Sequence, residues 1–212
     1  MDLATLHSAL LEKERALRLD SRWQLVVERG PAQVSRLESG TSHSYLRCTA
    51  NVPITPAFLV EQCMERVVES QKDWVAGYAG GQILFQETAA GSGSVRRVLA
   101  IRHHRTALIV APREYIYFDG YGPDGEGTVQ VSQSMDWPEA PRLSAGVVLA
   151  RLLFTSRRIT PAAEVGHSLY DAIWQVDLGG WLGRLPKLAE RGMVAAFFSE
   201  LSALEGLARR VQ

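Results

Sequence analysis

Side chains that could do chemistry are spread along the 212 residues, and few stand at a spacing that would let them act together. His103 and His104 are adjacent, which invites a metal reading. Neighbours on an extended strand point to opposite faces, and no carboxylate or cysteine stands at ligand spacing, so no metal site is expected. Gly91-Ser92-Gly93-Ser94-Val95 has the outline of a nucleophile elbow, but that device needs its serine between a strand and a helix. Here the serines fall in a turn between strands. The glycine-rich run from Gly120 to Gly127 also joins two strands and opens no helix, so it reads as a flexible hairpin and lacks the geometry of a phosphate cradle. Acid-base catalysis would have to come from His104, Glu87 or Asp119, and no two of these form a coherent pair. Cys48 and Cys63 belong to no Cys-x-x-Cys motif and cannot build a disulfide framework, which suits a reducing, cytoplasmic setting. No cofactor is expected.

Three charged residues are more informative, because each interrupts an apolar or aromatic run. Arg102 follows Leu99-Ala100-Ile101, Asp119 follows Tyr115-Ile116-Tyr117-Phe118, and Arg151 follows Val147-Val148-Leu149-Ala150. Ionised groups in such company need partners. They lie either on a solvated outer face or at strand ends, or they are the polar anchors of an internal pocket. Gln133 fits the second reading, since it alternates with Val129, Val131 and Met135 on the apolar face of its strand. Trp174 shares a face with Tyr170, Ala172 and Val176, and Trp74 follows a helix; core packing is the first reading for both.

The elements that must position these residues are legible from periodicity. Residues 3–18 space leucines as an amphipathic helix, and charged residues among them rule out a signal peptide. Three short β-like runs follow between Trp23 and Val52, then a helix from Thr55-Pro56 to about Gln71. Six strands come next, and consecutive strands without crossover helices imply antiparallel pairing. The fifth of these runs, 146–154, is read as one strand. From Leu182 to about 210 the spacing turns helical again, with Val194, Phe197, Leu201 and Leu204 on one stripe. The 23 basic and 23 acidic residues cancel, which argues against nucleic acid as a partner, and no stretch approaches the roughly 20 apolar residues of a membrane span. The expectation is one soluble α+β domain over residues 1–212.

Three local sequences carry a family resemblance. Ala111-Pro112-Arg113-Glu114-Tyr115-Ile116-Tyr117 resembles the approach to a central strand in StAR-related lipid-transfer (START) domains. Val176-Asp177-Leu178-Gly179-Gly180-Trp181-Leu182 resembles the turn into their final helix, and residues 135–151 resemble the segment between. The resemblance spans about residues 20–208. It implies a helix-grip fold, in which a curved antiparallel sheet of about nine strands wraps a C-terminal lid helix around a lipid cavity.

It also implies a non-enzymatic carrier of one sterol, phospholipid or sphingolipid, in transient contact with membrane surfaces. A ligand hiding about 400 Å² of apolar surface gains on the order of 10 kcal/mol at about 25 cal/mol per Å². Within that frame Tyr117, Gln133, Met135, Arg151 and Trp174 line the cavity, and Val194, Phe197 and Leu201 roof it. Sterol carriers of the family oppose an acidic residue and an arginine on neighbouring strands. The alignment suggests the same pair with signs exchanged, Arg102 facing Asp119. The alternatives are an enzyme of the same scaffold acting on a polyketide-like molecule, and a lipid-sensing regulatory module.

Overall fold

A computed structural model describes residues 2–104, 111–143 and 145–211. Helix α1 (Leu3–Leu19) starts at Asp2, whose carboxylate accepts from the Thr5 N–H at 3.1 Å and so satisfies one of the helix's free donors. Strands β1 (Gln24–Arg29), β2 (Ala32–Leu37) and β3 (Tyr45–Val52) form the expected meander. Its first turn is made possible by Gly30, at φ 57°. Thr55 caps α2 (Pro56–Val60), which widens into a π-turn over Glu61–Glu65 before α3 (Val67–Trp74) resumes. The helical region therefore outruns the expected end at Gln71, because Val67, Ser70 and Trp74 continue a buried stripe.

Seven strands follow: β4 (Tyr78–Thr88), β5 (Val95–His103), β6 (Arg113–Asp124), β7 (Gly127–Ser134), β8 (Val148–Leu149), β9 (Arg151–Pro161) and β10 (Ser168–Asp177). A short 3₁₀ turn over Leu182–Arg184 leads into α4 (Pro186–Val211). The sheet order is β1-β2-β3-β10-β9-β7-β6-β5-β4, antiparallel at every step. The run 146–154 is two strands, not one. Val148 and Ala150 donate to the carbonyls of Pro112 and Glu114, so β8 lies parallel to the start of β6. After Ala150 the chain passes to β9, between β7 and β10.

Both faces of the sheet are covered. On one side α4 and the α2–α3 region pack on β2, β3, β9 and β10, where Phe197, Leu201 and Leu204 meet Val34, Leu46, Cys48 and Ala172. On the other side α1 lays Leu6 and Leu10 on Phe118, Val129, Val131, Phe154 and Ile173. The apolar face of β7 therefore belongs to α1. Its polar alternates, Gln130 and Ser132, are buried on the α4 side. A sheet covered on both faces offers two destinations for an apolar stripe, and alternation alone does not choose between them.

Charges also hold α1 in place. Glu14, fully buried, accepts from Arg18 and from Arg158 at 3.2 Å, and Arg158 reaches Asp124 at 2.6 Å. Arg18 and Arg47 both bond Asp171 on β10. The approach is close enough that β6 needs a glycine beneath the helix. A Cβ on Gly120 would stand 2.6 Å from His7 Cδ2 and 2.9 Å from the Phe118 ring. Gly120→Ala should therefore destabilise the protein by about 1–3 kcal/mol through overpacking. In urea unfolding, adding His7→Ala should recover part of the loss; no loss in the single variant would contradict the packing.

Candidate functional site

Side chains on the α4 side of the sheet form a polar rung across five neighbouring strands. Its hub is Asp119 on β6, fully buried, which register places directly opposite Arg97 on β5. Arg97 is 1% exposed and bonds Asp119 Oδ2 at 2.8 Å. The other carboxylate oxygen accepts from Gln130 Nε2 at 2.8 Å and from Ser132 Oγ at 2.7 Å, both on β7. Gln130 Oε1 in turn accepts from Arg157 Nη1 on β9 at 2.7 Å. Arg157 Nε donates to the Tyr170 hydroxyl on β10 at 2.8 Å.

The helical region completes the rung from above. Where its pitch changes, the carbonyls of Met64 and Glu65 accept from Arg97. A π-turn presents such carbonyls sideways, which is why these turns recur at functional sites. Aromatic rings flank both guanidinium groups: Tyr121 lies 4.8 Å from the Arg97 carbon, while Trp74 and Tyr170 lie 6.0 and 5.8 Å from that of Arg157. Cation-π contacts of this kind position a buried cation without neutralising it.

Burial sets the protonation states around the rung. It pushes the Tyr117 hydroxyl far above its ordinary range and that of Tyr115 up to about 12. It pulls His103 down to about 4, so that imidazole is neutral near pH 7. The thiols of Cys48 and Cys63 are raised to about 12 and about 11 by the same cause, so neither is a ready nucleophile. On α4, burial raises the Glu200 carboxyl to about 7, against an opposing pull from Arg157. Arg157 and Glu200 are both enclosed by protein yet keep accessible surface, and Trp174 and Val194 are half-buried.

The residues expected from sequence separate into two groups. Asp119, Tyr117, Trp174, Val194, Phe197 and Leu201 all lie on the α4 side, with the Trp174 and Phe197 rings stacked at 3.7 Å. The expected Arg102–Asp119 bridge does not form. Arg102 is five residues from Arg97 on one strand and therefore on the opposite face, where it is 44% exposed and bonds Glu114 at 2.7 Å. Both real pairs are direct cross-strand partners. Gln133 stands opposite Phe118, and Met135 packs into the cluster under α1, so neither faces the rung. Arg151 is exposed and lines a separate pocket of about 240 Å³ with Ile116, Ser134 and Trp137.

Sequence reading missed Arg97, Gln130, Ser132, Arg157, Tyr170 and Glu200. Arg97 inside a β-like run was the available signal, while Arg157 lies beyond the 146–154 run, on the part of β9 that only the structure shows. Register was needed to use it, and the segment joining β5 to β6 is too long to fix register as a tight turn would. Among the described residues no group of three or more histidines, cysteines and carboxylates is placed to hold a metal. His103 instead packs edge-on against Tyr78 and Tyr115. Ser144, within the 135–151 stretch, lies outside the described residues.

Comparison with known proteins places this arrangement. The family model described as START domain matches residues 7–209. No curated protein sequence matches the chain. Among solved structures, human StAR-related lipid transfer protein 5 superposes with a TM-score of 0.83 at 14% identity, covering 99% of this chain and 97% of that one. Human STARD10 gives 0.73 at 15% identity, over 93% of this chain and 78% of that one. A STAR-related lipid transfer protein fragment from Xanthomonas axonopodis gives 0.63 at 16% identity, over 89% and 99%. At these identities the structures share the fold.

The Glu200 environment makes stability depend on pH. Its folded value, about 7, lies above the ordinary 4.5, so the folded form holds an extra proton between those limits. The contribution is fully present below about 4.5 and is lost as pH rises through about 7, on the order of 3 kcal/mol for the full shift. The groups facing it are Arg157 on β9, Tyr170 on β10, Cys48 on β3 and Cys63 in the π-turn. Urea titrations at pH 5 and pH 8 should show the parent losing more stability than Glu200→Gln. Equal losses in both would contradict the placement.

Proposed function

Because the chain belongs to the START domain family, we propose that it binds one hydrophobic lipid between its sheet and α4, and carries that lipid between membranes without catalysing a reaction. The observation that carries this reading is the polar rung lying beside an apolar wall. Ser132, Gln130 and Arg157 face the same side as Trp174, Phe197 and Val194, so one interior offers hydrogen-bonding groups at one place and apolar surface at another. Ligand sites have this composition: mostly apolar lining with a few convergent polar groups. A sterol, a phospholipid or a sphingolipid has the matching form, a polar end on a hydrophobic body.

Loading and release require the roof to part from the sheet at a membrane surface. Trp181 and Leu185, flanking the 3₁₀ turn before α4, and Leu188 in its first turn are 41%, 47% and 48% exposed. Beside them, Gly179 and Gly180 lie against Val148 and Leu149, and Leu149 is itself exposed. Exposed tryptophan and leucine suit insertion among lipid head groups. Among the described residues no helix is long and apolar enough to cross a membrane. The proposed setting is the cytoplasm, with the whole chain acting as one START unit and nucleic acid playing no part.

Native mass spectrometry of protein purified from cells should find a lipid retained at one per chain, and vesicle-to-vesicle assays should show it transferred. Phe197 is 1% exposed and stacked on Trp174, so Phe197→Asp puts a charge where the lipid body would lie. That variant should lose the retained lipid. A folded Phe197→Asp protein that held a hydrophobic probe as tightly as the parent would overturn α4 as the roof.

A further inference from the structure

Among the described residues two enclosed cations have no carboxylate within 4 Å: Arg113, which donates to the carbonyls of Leu178 and Ala111, and Arg157. Arg97 is neutralised by Asp119, and on the other face Arg18, Arg47, Arg102 and Arg158 each have a carboxylate within 4 Å. Arg157 has none among the described residues. Its partners are the neutral Tyr170 hydroxyl and Gln130 carbonyl, with the Trp74 and Tyr170 rings nearby. A guanidinium has five N–H donors. Two are used here, leaving three, and the group keeps accessible surface although it is enclosed by protein. A buried charge without a counter-ion is costly unless something supplies one.

Glu200 is the nearest candidate, and the structure does not use it that way. No hydrogen bond or ion pair joins it to Arg157 among the described residues, although the two sense each other's charge. Its carboxyl is substantially protonated near neutral pH, so it can donate to an acceptor as well as accept. The space beside the free edge of Arg157 is therefore bordered by guanidinium donors and by a carboxyl able to add one more.

We propose that the lipid carries a terminal oxyanion, a carboxylate or phosphate, which docks on the free edge of Arg157 beneath Glu200 and supplies the missing counter-charge. This deepens the lipid-binding reading and rests on it. A planar guanidinium presents parallel donors that match two oxygens of such a group at once. A neutral alcohol offers one acceptor and leaves the charge unbalanced. An ammonium head group is repelled. Arg97 cannot serve instead, because Asp119 already neutralises it and the carbonyls of Met64 and Glu65 occupy further donors.

The test compares amphiphiles that share one C18 chain and differ at the head: a carboxylate, a phosphate monoester, an alcohol and an amine. Each competes against a neutral fluorescent probe on delipidated protein at pH 7.5. The parent should bind the carboxylate or the phosphate at least tenfold more tightly than the alcohol and the amine, and the tighter of the two identifies the source of the oxyanion. Arg157→Gln should bring that preference below threefold. At pH 8, Glu200→Gln should bind the oxyanion more tightly than the parent, since it removes a competing negative charge. If Arg157→Gln fails to fold, the preference of the parent and the Glu200→Gln comparison decide the matter. Equal binding of oxyanion and alcohol by the parent would overturn the oxyanion and leave lipid binding intact. Failure of all four to displace a bound probe would overturn both.

Discussion

Asp119 is an ionised group with no access to bulk water, and the cost of placing it there is met only if every lone pair finds a donor. Those donors come from residues 97, 130 and 132, on the strands to either side. Bringing them to one carboxylate fixes the register of β5 against β6 and of β6 against β7. A slip of one residue would move each of them to the other face of the sheet. Satisfying the rest of Arg97 demands carbonyls from above, and the π-turn supplies them. Breaking such a buried pair by removing one partner typically costs about 3–5 kcal/mol, because the remaining charge stays buried and alone. The rung therefore sets sheet register, helix pitch and the polarity of the interior together.

The opposite face is held by a similar device of different purpose. Glu14 on α1 is as buried as Asp119, and its arginine partners lie on α1 itself and on β9. Arg157 and Arg158 are neighbours on β9 that point to opposite faces, one into the rung and one into the α1 clamp. The clamp is closed, with each arginine matched to a carboxylate. The rung is open at Arg157. The proposed lipid site rests on that asymmetry.

Much of the architecture was legible in sequence because its signals are local. The order of helices and strands, the packed stripe Val194-Phe197-Leu201 on α4 and the turn at Asp177-Leu178-Gly179-Gly180 follow from periodicity and turn chemistry. In the structure Asp177 accepts from the Gly179 N–H at 2.8 Å, and Gly179 and Gly180 adopt positive φ, as that turn requires. What was not legible is pairing. Arg102 and Asp119 are expected to meet from the family alignment, yet they lie on opposite faces once Arg97 is aligned with Asp119. Gln133 drew attention as a polar residue in an apolar stripe, while the working residues of β7 were the unremarked polar alternates Gln130 and Ser132. Glu200 could not be recognised at all, because its importance comes from burial over β9 and not from any motif.

Fold, rung and roof converge on a single account, in which a lipid's polar end meets the rung at Arg157 and its body lies along Trp174 and Phe197 beneath α4. A crystal structure of the protein with its co-purified lipid tests this most directly. The account predicts a polar atom of the lipid within hydrogen-bonding distance of Arg157 and apolar atoms against the Trp174 and Phe197 rings. A lipid found with its polar end away from Arg157, or seated on the α1 side of the sheet, would contradict it.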